Sequence, residues 1–117
     1  MKAMVCVLLA LSAAPAWCEN INEVLERSQR VRLESLPRAD AQSAKALSVR
    51  QSFDKVVRAS GWREPVELQV IRGDTVAETL HGHVVVANES LADLTEGERV
   101  FILAHELGHV AMGHWSQ

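Results

Sequence analysis

The chain has 117 residues, room for one small domain at most. Hydrophobic residues make up 48% and charged residues 23%, the balance of an ordinary globular chain. The formal net charge is −3 and no basic run occurs, so nucleic-acid binding has no electrostatic support.

Residues 1–16 read as an export leader. Lys2 is the positive start, Ala3 to Leu11 a short apolar core, and Ala14-Pro15-Ala16 a small-residue cleavage site. The apolar run is too short to span a bilayer, so no integral membrane span is expected in the mature chain. The expected compartment is a bacterial periplasm. Cys6 leaves with the leader and Cys18 lies at the new terminus, or leaves too if cleavage falls after it, so no internal disulfide is expected. Lipidation of Cys18 is disfavoured, because the bulky Trp17 precedes it where a lipoprotein signal wants a small residue.

Residues 20–60 read as helical. Ile21, Val24, Leu25 and Val31 follow helical spacing, and Pro37 interrupts it. A second helix is predicted from about Ala41 to Ser60, with Val49, Phe53, Val56 and Val57 on one core-packing stripe and Gly61 as its stop. Arg27, Arg30 and Arg32 read as a solvated helix face. After Pro65 the period changes to two. Val66, Leu68 and Val70 alternate with Glu67, Gln69 and Ile71. Gly73-Asp74 is a good hairpin turn, with Thr75 to Leu80 as the return strand. Val84 to Ala87 is a further short strand, and Asn88 to Leu94 a turn or single helical turn. Helices, a two- or three-stranded sheet and a last helix make an α+β fold.

That last helix carries the chemistry. Thr95 and Glu98 form a capping box, which places a helix start at Thr95. His105-Glu106-Leu107-Gly108-His109 follows in an otherwise apolar stretch from Val100 to Val110, the pattern of a buried active-site helix. Four residues of α-helix turn through about 400° and rise about 6 Å, so both imidazoles leave one face and can close on one metal ion. Glu106 falls beside them, where a carboxylate can take a proton from an attacking water; this is the metallopeptidase constellation. Gly108 costs roughly 1 kcal/mol of helix propensity against Ala, which a close approach by a neighbouring backbone would offset. A buried helix with two incidental histidines is the plain alternative, and the agreement of cap, apolar context and motif counts against it.

Val84-Val85-Val86, Leu91 and Leu94, then Ile102 to Val110 with Gly113-His114, resemble the HtpX-like and CaaX-prenyl-protease (Ste-type) family of gluzincin metallopeptidases, its periplasmic members above all. The similarity runs over residues 82–115. It implies a zincin-like fold, one Zn²⁺ held by His105 and His109, and Glu106 as general base. The substrates it implies are periplasmic proteins, misfolded ones among them. It also implies an edge strand near residues 83–87 on which an extended substrate could pair. His114 matches a family position that is not a ligand.

The family's third zinc ligand, a Glu on a helix further downstream, has no counterpart before Gln117. The expectation is therefore a metallopeptidase-like domain over residues 17–117 that is incomplete at its C-terminus. The in-chain candidates for a substitute ligand are His81 and His83, whose plain alternative is a surface loop, and more weakly Glu89; His114 qualifies only if the helix breaks at Gly113. Glu98 lies about 10 Å along the helix from His105, too far to share its metal. The alternative to a working enzyme is an inactive relative serving as a binding or chaperone-like module. The ImmA/IrrE-like peptidases carry a similar helix but act in the cytoplasm, and the leader counts against them.

Overall fold

In the computed structural model residues 20–113 are described; the expected leader, Cys6, Cys18 and His114 lie outside them. The fold is α+β, as expected. Helix α1 covers residues 20–35 and α2 covers Ala44–Ser60. Strands β1 (Glu67–Ile71), β2 (Ala77–Leu80) and β3 (Val84–Asn88) follow. A 3-10 turn over Glu89–Asp93 then leads into α3, Glu96–Met112. No helix among the described residues is long and apolar enough to cross a membrane.

Local chemistry sets the helix ends. Helix α2 starts at Ala44, later than the spacing suggests, because the Ser43 side chain accepts the Ala46 N–H and so caps the first turn. It stops at Gly61, whose φ of +70° suits a residue without Cβ. Helix α3 has the expected capping box: Thr95 Oγ1 accepts the Glu98 N–H, and Glu98 Oε1 accepts the Thr95 N–H. The Thr95 hydroxyl and then its backbone N–H hold the Glu98 carboxyl below its ordinary pKa. Gly113, at φ +69°, ends α3.

The sheet corrects the expected hairpin. The strand order is β1-β3-β2, with β1 parallel to β3 (Glu67 opposite Val84, Ile71 opposite Asn88) and β2 antiparallel to it (Ala77 opposite Ala87, Leu80 opposite Val84). Gly73-Asp74 therefore lies in a connection that crosses past β3 rather than in a tight turn between paired strands. Asn88 holds this connection. Its amide donates to the carbonyls of Gly73 and Thr75, each at 2.8 Å, and its backbone N–H donates to Val76. The physical reason lies in β3. Val84, Val85, Val86 and Ala87 are all buried, so this strand needs cover on both faces and a neighbour on both edges.

Strand β3 divides two cores. Val85 and Ala87 join Val49, Phe53, Leu68, Leu103 and Leu107 between the sheet and the α2/α3 layer. Val84 and Val86 join Leu36, Ile71 and Leu80 on the other face, with Leu33 of α1 packed against them. Arg32, read from sequence as solvated, ties α1 to the second strand: Nε lies 2.9 Å from Glu78 Oε1, and an NH2 hydrogen bonds Thr75 Oγ1. Ile21, Val24, Leu25 and Val31 follow the expected helical spacing, yet all four are exposed.

Helix α3 is buried on one side only. Leu103, Leu107 and Val110 face the core, each contributing roughly 1.5–3 kcal/mol relative to exposure. Phe101, Ala104, His105 and Met112 face outward, so the buried helix expected from the apolar run is buried on its core side alone. Gly108 is a second correction. A Cβ there would meet nothing within 4 Å, so no neighbouring backbone comes close and the residue is not required for packing.

Candidate metal centre

Arg99 anchors the motif helix before the motif begins. Arg99 donates from Nε to Ser52 Oγ on α2 at 2.7 Å and from NH1 to the Leu94 carbonyl at 3.1 Å. These two bonds fix the first turn of α3 against α2 and against the end of the 3-10 turn. One and a half turns later the motif emerges on a rigid helix.

His105 and His109, one turn apart, bring their Nε2 atoms to 3.1 Å, with the rings edge to face at a centroid distance of 4.7 Å. His105 is exposed and His109 half-buried. Two ring nitrogens this close face one point in space, as two ligands of a single ion would. A zinc ion binds imidazole at about 2.0–2.1 Å, which at a tetrahedral angle separates two such nitrogens by roughly 3.3 Å. The observed spacing therefore fits the ion with almost no movement.

Glu106 points to the sheet side of the pair and is buried, 8% exposed. Its Oε2 accepts a hydrogen bond from Thr79 Oγ1 at 2.7 Å. The same hydroxyl lies 3.2 Å from the Glu106 backbone carbonyl. Donor atoms of His105, Glu106 and His109 all lie within 4.8 Å of one another, the one such metal-competent cluster among the described residues.

The substitute ligands are not brought to this cluster. His81 and His83 sit in the turn between β2 and β3, where His83 Nδ1 is 2.8 Å from the His81 carbonyl and the His81 N–H donates to Gln29 of α1. Glu98 is committed to the capping box, and Glu89 opens the 3-10 turn. Helix α3 does end at Gly113, the condition set for His114, which lies outside the described residues.

The strand beside the site is also not the expected one. Residues 84–88 form the central strand, and β2 is the edge strand that reaches Glu106 through Thr79. Sequence reading missed Thr79. The alternation of β2 sets Thr79 on the face opposite Glu78 and Leu80, but nothing local says that α3 packs against that face.

Searches of curated proteins and of solved structures returned no match. The model of peptidase family M48 matches residues 43–117, from the cap of α2 through the whole sheet and the motif helix. With more than half of the chain matched and the His-Glu-His group in place on α3, the chain belongs to peptidase family M48.

Proposed function

We propose that this protein is a zinc-dependent metalloendopeptidase that hydrolyses peptide bonds of periplasmic proteins, misfolded ones among them. Within the family, the HtpX-like and CaaX-protease branch fits its motif best. One observation carries the reading: two imidazole nitrogens at zinc-bridging distance share their turn of helix with a buried carboxylate. His105 and His109 would hold the ion through Nε2. When bound, zinc acts as a Lewis acid that polarises the scissile carbonyl and acidifies water. Glu106 takes the proton of the attacking water and returns it to the leaving amine. Its low exposure keeps competing water away from the carboxylate.

The outer edge of β2 offers backbone groups that an extended polypeptide can pair with, next to the catalytic helix. An extended, unfolded segment is thus the substrate form the site favours. The leader pattern over residues 1–16 supports export. Intact-mass measurement on a periplasmic fraction is expected to find a chain beginning at Trp17; a full-length cytosolic product would refute export.

The test of the chemistry is Glu106→Gln beside His105→Ala. The first is expected to keep zinc and fold and to lose casein cleavage by about 10²–10⁴-fold, the usual worth of a general base. The second is expected to lose the zinc. Cleavage that survives Glu106→Gln unchanged refutes the proposal, and zinc binding without any cleavage marks a binding module instead.

A further inference from the structure

Thr79 hydrogen bonds the proposed base, although the chemistry above assigns it no role. Its hydroxyl sits 2.7 Å from Glu106 Oε2. A hydroxyl donates one hydrogen, and of its two acceptors the carboxylate bears the charge; the backbone carbonyl at 3.2 Å has its partner within the helix. Thr79 is β-branched and lies in a strand, so its χ1 is restricted. It stands on β2, whose alternation sends Glu78 towards Arg32 and Leu80 into the second core, leaving Thr79 on the α3 side.

We propose that Thr79 is the positioning residue of the general base, and this inference rests on the metallopeptidase reading. The hydroxyl occupies Oε2 and fixes the torsions of an otherwise flexible side chain. Proton transfer then falls to Oε1. Because Thr79 belongs to the edge strand, one residue links the strand that would register an extended substrate with the carboxylate that handles the proton. No metal contact is involved.

Kinetics and stability test this separately on the full chain. In the zinc-loaded protein, Thr79→Val is expected to lower kcat by about 10–100-fold with KM little changed, the signature of a misplaced catalytic group rather than lost binding. Thr79→Ser keeps the hydroxyl and is expected to recover kcat to within a few-fold; should Thr79→Val not fold, Thr79→Ala carries the same expectation. In the metal-free protein, a urea-unfolding cycle of Thr79→Val with Glu106→Ala is expected to show coupling of roughly tenfold or more in the unfolding constant, as for a hydrogen bond to a charged group. Coupling below threefold overturns the inference. So does an unchanged kcat in Thr79→Val, or an equal loss in Thr79→Ser. If the coupling is present but wild-type cleavage is indifferent to Glu106→Gln, the metallopeptidase reading has failed and the positioning role falls with it, while the contact itself stands.

Discussion

Replacing Asn88 with Ala removes the side chain that holds the β1–β2 connection against β3. Three hydrogen bonds go: those donated to Gly73 and Thr75 at 2.8 Å, and the one accepted from the Ser90 N–H at 3.0 Å, which caps the 3-10 turn. Asn88 is 5% exposed, so its own groups have little access to water. At about 1 kcal/mol net per bond the loss is about 3 kcal/mol. Gly73 is exposed and Thr75 half-buried, so their freed carbonyls can turn to solvent, which brings the expectation down to about 2–3 kcal/mol. With an m-value near 1 kcal/mol/M for a chain of this size, the urea midpoint should fall by about 2–3 M at unchanged m. Asn88→Asp sharpens the test. It keeps the acceptor for Ser90 but sets a carboxylate against two carbonyl oxygens, so at neutral pH it should be no more stable than Asn88→Ala. A loss under about 1 kcal/mol in Ala, or wild-type stability in Asp, would refute the idea that these donated bonds fix the crossing connection.

Two further outcomes follow from α3. Gly108→Ala should stabilise the protein by up to about 1 kcal/mol, since the new methyl meets nothing within 4 Å and Ala is the better helix former; a destabilisation in urea melts would mean that something packs there. The Glu98 carboxyl is held below its ordinary value of 4.5 by the Thr95 hydroxyl and N–H. A depressed folded-state pKa contributes stability above the unfolded value and loses it as pH falls through the folded one. The melting temperature should therefore fall as pH drops below about 4.5, less steeply in Glu98→Gln; parallel acid limbs would show the cap to be inert.

The motif helix was legible from the amino-acid sequence because everything that defines it is local. Thr95 and Glu98 meet across three residues and His105 and His109 across four, so helix geometry alone puts both ring nitrogens on one side. The two-residue period before it likewise told which side chains of β1 share a face, and Leu68 does point into the α2/α3 core. Period says nothing about neighbours. The sequence suggested a hairpin at Gly73-Asp74, and the family resemblance implied an edge strand near 83–87, whereas β3 is central and β2 is the edge. Only the folded chain decides that, because Glu67 pairs with Val84 and the pairing follows from the need to bury four consecutive apolar residues on both faces. The same holds for Thr79 and Glu106, which are 27 positions apart in the chain and meet because strand order brings β2 under α3. The placement of the two imidazoles is a property of one helix; the placement of the carboxylate between them and the sheet is a property of packing, which no local spacing encodes.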